Sequence, residues 1–205
     1  MFDLIKRWSK FPILKIIKTN HNLRKLKLHI NELYVFLDLD NTIYLFSEYG
    51  KTKEALENSL KEGYYEKIPI FPGAAAFVQF LLSICPNVYI LSNCERDTAV
   101  MEKIESIKRD MPFFPLDHII IGVNIKNKAN LIKKICGKNK AVIVDDWSGN
   151  IIDAYLEGIV GIKKTYSGKS IPIYQVKEFY EILFVLKEKF NISFDLITDM
   201  KIDGD

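Results

Sequence analysis

The stretch VFLDLDNT (residues 35–42) is an apolar run that ends in two aspartates one position apart. With Leu33 and Tyr34 before it, the run LYVFL (33–37) reads as a buried strand. Carboxylates this close repel one another, and apolar surroundings sharpen the repulsion. A bound cation is therefore the first candidate to compensate.

Working outward, three further apolar runs give way to polar residues: VYILSN (88–93), HIIIGV (118–123) and AVIVDD (141–146). A fifth, GIVGIKK (158–164), is shorter and flanked by glycine. Helical spacing fills the intervals at 73–83, 96–109, 128–136 and 150–157. Strand and helix in alternation predict an α/β fold, a Rossmann-like three-layer sandwich around a mainly parallel sheet. Such sheets place ligands beyond the carboxyl ends of their strands. Asp38, Ser92, Asp145 and Asp146 all stand at such ends, and adjacent strands would gather them on one edge.

Residues 43–70 break the alternation. An aromatic stretch, IYLFSEYG, precedes a polar helix candidate over 51–67, which predicts a small helical cap inserted after the first strand. The segment 173–190 has helical apolar spacing throughout and reads as one helix packed on the sheet. The expected organisation is a basic segment at 1–32, a core at 33–190 with its cap at about 43–70, and a tail at 191–205.

Bulk properties narrow the function classes. The chain has 205 residues, enough for one sizeable core, with 48% hydrophobic and 27% charged residues, which is ordinary for a globular protein. No uncharged apolar run approaches the roughly 18 residues of a membrane span. Cys85, Cys94 and Cys136 are odd in number and lack CxxC pairing. They read as small buried hydrophobes in a reducing compartment, which predicts a cytoplasmic protein without a disulfide framework or zinc site. Glycines occur singly, so a nucleotide-hydrolysing P-loop is unsupported. Residues 1–30 hold eight basic residues against one acid, although the whole chain carries only +3. The basic character is thus N-terminal. A helix packed on the domain is the first reading of that segment; a polyanion-binding arm or a membrane-surface helix are the others.

The DxDxT arrangement of Asp38, Asp40 and Thr42 resembles the first signature of the haloacid dehalogenase-like superfamily of phosphotransferases. The remaining signatures follow in order. Ser92 ends VYILS, Lys128 opens a helix after the third run, and VIVDDWSGN ends a strand in an acidic pair with Asn150 four positions beyond. The resemblance covers about residues 33–165 and implies a Mg²⁺-dependent phosphatase acting through an aspartyl-phosphate.

In that reading Asp38 is the nucleophile. Asp40 protonates the leaving oxygen and later deprotonates water. Ser92 and Asn93, with Thr42, hold the phosphoryl oxygens, and Lys128 offsets the charge of nucleophile and phosphate. Asp38, the main-chain carbonyl of Asp40 and Asp146 would hold Mg²⁺, with Asp145 and Asn150 acting through water; the choice between Asp145 and Asp146 stays open. Lys126 rivals Lys128, which is preferred because Asn127 makes a plausible N-cap.

Within the superfamily, DLDNT, FPGAAAFVQFLL, ILSN and KANLI most resemble the 5′(3′)-deoxyribonucleotidase group. The expected substrate is a small phosphomonoester such as a (deoxy)nucleoside monophosphate, with Tyr44, Phe46, Tyr49, Tyr64 and Tyr65 as a platform for a base or as packing. Two alternatives accompany this: a polynucleotide-end phosphatase using residues 1–30 as a nucleic-acid arm, and a non-catalytic binding protein of the same fold.

Overall fold

A computed structural model of the chain describes residues 31–47, 53–165 and 174–190. The five expected strands form, at Leu33–Leu37 (β1), Asn87–Cys94 (β2), Ile119–Val123 (β3), Lys140–Asp145 (β4) and Val160–Lys164 (β5). A sixth, Tyr174–Val176 (β6), lies in the segment read as wholly helical. The helix there starts only at Phe179 and runs to Phe190. Tyr-Gln-Val pairs in parallel with β5 through Ile162 and Tyr174, and an available strand edge outweighs a weak helical pattern.

The sheet order is β3-β2-β1-β4-β5-β6, and every neighbouring pair is parallel. From β1 the chain winds outward through β2 and β3, then returns to the other side of β1 for β4, β5 and β6. The winding reverses between β1 and β4, and a crevice opens at such a switch point.

Alternate side chains of the strands enter two cores. Val35, Leu37, Ile90 and Val144 pack with Phe77 and Leu81 of α2 (Ala74–Ile84), Ile107 of α3 (Asp97–Asp110) and Leu186 of the C-terminal helix, α6 (Phe179–Phe190). Phe36, Leu91 and Ile143 face the other way, onto Ile132 of α4 (Lys128–Cys136) and Ile151 of α5 (Ser148–Leu156). This is the three-layer sandwich. Each large side chain so buried contributes about 1.5–3 kcal/mol. The three cysteines are free and buried, as their reading as small hydrophobes requires. Among the described residues no helix is long and apolar enough to cross a membrane.

Between β1 and α2 the chain forms one short helix, α1 (Lys53–Ser59), and a 3₁₀ turn at Tyr65–Lys67. The polar helix expected over 51–67 is therefore shorter. It is interrupted before the turn by Gly63, whose φ of 73° only glycine adopts at no steric cost. The two stems of this insertion lie side by side: Leu45 N–H donates to the Pro69 carbonyl and Phe71 N–H to that of Ile43, both at 2.9 Å. Residues 1–30, 48–52, 166–173 and 191–205 lie outside the described residues, and with them the basic N-terminal segment, Tyr49 and the acidic tail.

Candidate active site

Just beyond β1, Asp38 keeps the ladder by donating its N–H to the Val144 carbonyl at 2.9 Å, and its side chain enters the crevice beside β4. Asn41 then takes a φ of 56°, in the left-handed region that asparagine tolerates. This turns the chain sharply, so that the N–H groups of Thr42, Ile43 and Tyr44 all donate to the Leu39 carbonyl. The Asn41 side chain staples two loops: its Oδ1 accepts from Ser47 N–H at 2.9 Å, and its Nδ2 donates to Asp146 Oδ2 at 3.3 Å.

Carboxylate oxygens of Asp38, Asp145 and Asp146 lie within 4.8 Å of one another. Lys128, at the first turn of α4, inserts its ammonium between two of them, 2.8 Å from Asp38 Oδ1 and 2.7 Å from Asp145 Oδ2. It can do so because Asn127 caps α4, its Oδ1 accepting from Asn130 N–H at 2.9 Å. Lys126, the rival, is exposed. Burial works against the charge of Lys128, yet the facing Asp38 and Asp145 carboxylates outweigh it and hold the ammonium well above the usual lysine range.

Asp145 is fully buried, and burial together with the charge of Asp38 pushes its carboxyl upward against the pull of Lys128 and the Trp147 N–H. Both of its oxygens are engaged. Oδ2 accepts from Lys128 and from Asn150 Nδ2 at 2.7 Å, and Oδ1 accepts from Trp147 N–H at 2.8 Å. Asn150 thus meets Asp145, five residues before it.

The second half of the site lies towards the insertion. Asp40 Oδ2 accepts from Lys103 Nζ at 2.9 Å, and the same ammonium donates to Ser92 Oγ at 3.0 Å and to the Asn93 carbonyl at 2.7 Å. Asn93 Oδ1 holds the loop after β3 by accepting from Ile125 N–H at 2.8 Å. Thr42 is fully buried, and its Oγ1 has no hydrogen-bond partner among the described residues. Phe46, Tyr64 and Tyr65 stack edge-on or tilted, with ring centroids 5.4–6.1 Å apart. Tyr44, Phe46 and Tyr65 are buried, so packing is the reading that holds for them.

The sequence pattern does not single out Lys103 or the residues that fasten the insertion. Arg96 and Glu102 of the α3 region form a bidentate pair at 2.7 Å for each bond. Glu102 also accepts from Gly63 N–H at 2.8 Å and Tyr65 N–H at 3.2 Å, while Arg96 donates to the carbonyls of Ser59 and Lys61. Ser106 Oγ donates to the Tyr65 carbonyl at 2.8 Å. One signal was available. Glu102, Lys103 and Ser106 share the buried stripe of α3 with Ala99 and Ile107, so charges occupy positions where helical spacing calls for apolar side chains.

A parallel sheet whose switch point gathers Asp38, Lys128 and the acidic pair can be set against solved structures. A haloacid dehalogenase-like hydrolase from Streptococcus pneumoniae superposes with a TM-score of 0.54 at 17% identity, covering 78% of this chain and 99% of that one. This chain has the haloacid dehalogenase-like fold. An L-2-haloacid dehalogenase from Xanthobacter autotrophicus with chloropropionic acid covalently bound shares it, at a TM-score of 0.53 and 9% identity over 78% of this chain and 100% of that one. So does a haloacid dehalogenase-family hydrolase from Deinococcus radiodurans R1 with bound phosphate and sodium, at 0.51 and 11% over 78% and 96%. No protein-family model matches the sequence, and no curated protein matches it. At these identities the likeness is one of fold.

Proposed function

We propose that this chain is a metal-dependent phosphomonoester hydrolase that works through an aspartyl-phosphate on Asp38. The observation that carries the reading is the excess of negative charge at the switch point. Asp38, Asp145 and Asp146 converge within 4.8 Å while Lys128 supplies one ammonium, a deficit that suits a divalent cation. All the donors are oxygens, the preference of a hard ion such as Mg²⁺. Asp38 and Asp146, with the main-chain carbonyl of Asp40, would hold it. Asp145 serves better from behind, since its oxygens already accept from Lys128, Asn150 and Trp147. When bound, the ion would supply neutralisation between the Asp38 carboxylate and the phosphoryl oxygens.

The residues divide the reaction as follows. An Asp38 oxygen bonds to phosphorus as the ester P–O bond breaks, and the Asp40 carboxyl gives its proton to the leaving oxygen. Water then attacks the acyl-phosphate, losing its proton to the Asp40 carboxylate. The bond from phosphorus to Asp38 breaks, and phosphate leaves. Ser92 donates to a phosphoryl oxygen, and Lys128 balances the charge of Asp38 throughout.

Asp40 favours this reading over dehalogenation, because displacing a halide leaves no oxygen to protonate. A nucleoside monophosphate is the finer candidate for the substrate and draws on the sequence resemblance, since the buried Phe46 and Tyr65 offer no exposed ring face for a base. The test is hydrolysis of p-nitrophenyl phosphate with Mg²⁺. Asp38→Asn should lower turnover by about 10³-fold or more with the melting curve retained, and EDTA should abolish it. Near-wild-type turnover by Asp38→Asn would overturn the proposal.

A further inference from the structure

Lys103 is a lysine with 2% of its surface exposed, on a helix that none of the four sequence signatures includes. Its ammonium has three N–H groups and three oxygen acceptors: Asp40 Oδ2, Ser92 Oγ and the Asn93 carbonyl. An ammonium can only donate, so each of these contacts fixes the role of the group it meets.

At Ser92 the consequence is a direction. One lone pair of Oγ is taken by Lys103, and the hydroxyl itself donates to the Asn93 carbonyl at 3.5 Å, a long contact to an oxygen that Lys103 already meets at 2.7 Å. That long contact leaves the hydroxyl proton to a better acceptor, which a phosphoryl oxygen would be. At Asp40, Lys103 holds Oδ2 at 2.9 Å and so fixes the orientation of the carboxyl. The tie spans two strands, because Asp40 follows β1 while Ser92 and Asn93 belong to β2. The Tyr65 ring of the insertion lies over the ammonium, 4.4 Å from its centroid, and walls off a small cavity that Asp40, Tyr44 and Lys103 also line.

We infer that Lys103 is a positioning residue for phosphoryl transfer: it leaves the Ser92 hydroxyl to donate to the substrate and holds the Asp40 carboxyl in place for the leaving oxygen. This rests on the phosphatase reading above. It also accounts for a charge buried on α3 that packing alone does not require, since a buried ammonium survives only when every N–H is met.

A double-mutant cycle tests it, with turnover of p-nitrophenyl phosphate and of an alkyl phosphate in the presence of Mg²⁺. Lys103→Met should lower kcat by about 10–100-fold, with the larger loss on the alkyl ester, whose leaving oxygen depends more on a well-placed acid. In an Asp40→Asn or Ser92→Ala background the same change should cost less than about 3-fold, because the groups it orients are gone. Lys103→Arg should recover part of the rate. Should Lys103→Met fail to fold, the same cycles are read on Lys103→Arg, which keeps the charge but displaces the donors. Equal losses in all backgrounds and on both esters would mean that Lys103 merely supports the insertion, and would overturn the inference. Full turnover by Asp38→Asn and Asp40→Asn would instead overturn the phosphatase reading.

Discussion

Replacing Lys128 with methionine keeps most of the length of the side chain and removes its charge. The ammonium sits 2.8 Å from Asp38 and 2.7 Å from Asp145, and the three side chains are 5%, 7% and 0% exposed. Deleting one partner of such a buried cluster leaves uncompensated charge and costs about 3–5 kcal/mol. For a chain of this size each kcal/mol moves Tm by about 2–4 °C, so Lys128→Met should melt roughly 6–20 °C below wild type in metal-free buffer. The pH dependence has a definite sign. Asp145 is raised in the folded state by burial and by Asp38, so it favours folding below its folded pKa and loses that contribution as pH rises through it. Without Lys128 the effect grows, and the deficit against wild type should widen from acid to neutral pH. Mg²⁺ should narrow it. A ligand at 100 times its Kd adds about 2.7 kcal/mol, and the variant has more charge to neutralise. Scanning calorimetry with and without Mg²⁺ is the assay. A metal-free Tm within about a degree of wild type would refute the bridging role.

Three further outcomes follow from the same geometry. Asp146→Asn should weaken Mg²⁺ binding by at least about 10-fold in isothermal titration with little change in metal-free Tm, whereas Asp145→Asn should lower that Tm because it disturbs the contacts to Lys128, Asn150 and Trp147. Gly161→Ala should destabilise by about 1–3 kcal/mol in urea unfolding, since a Cβ there would lie 2.7 Å from Ile151 Cγ2. Lys164, lowered by burial to about 8 although Glu178 and Glu181 resist the shift, is more protonated in the unfolded chain above that pH. Its contribution to stability should therefore rise between pH 8 and the ordinary lysine value, so the difference in unfolding free energy between wild type and Lys164→Met should shift in favour of wild type over that window. A flat difference would count against the shift.

The insertion is only partly legible in the sequence. Its existence followed from the break in strand–helix alternation, but its anchoring did not. Arg96, Glu102 and Ser106 bind backbone groups of residues 59–65, and backbone donors and acceptors carry no sequence label. Strand β6 was missed for a related reason: three residues have too little periodicity to declare themselves without the β5 edge. Lys128 stands out in the sequence because it opens a helix directly after the Asn127 N-cap. Lys103 does not, because a lysine in mid-helix is ordinarily a solvated one.

What the linear chain determined by itself was the α/β alternation, the five principal strands and the polar residues at their ends. Those depend on period, on composition and on the short reach of capping and turn chemistry, all local in sequence. Tertiary structure decided the rest. It placed β4 beside β1, so that Asp145 and Asp146 meet Asp38 across more than a hundred residues, and it turned α3 so that Lys103 reaches Asp40 and Ser92 together. Burial is the physical reason: whether a charge is solvated or must find partners depends on what packs over it, and packing is a property of the whole chain.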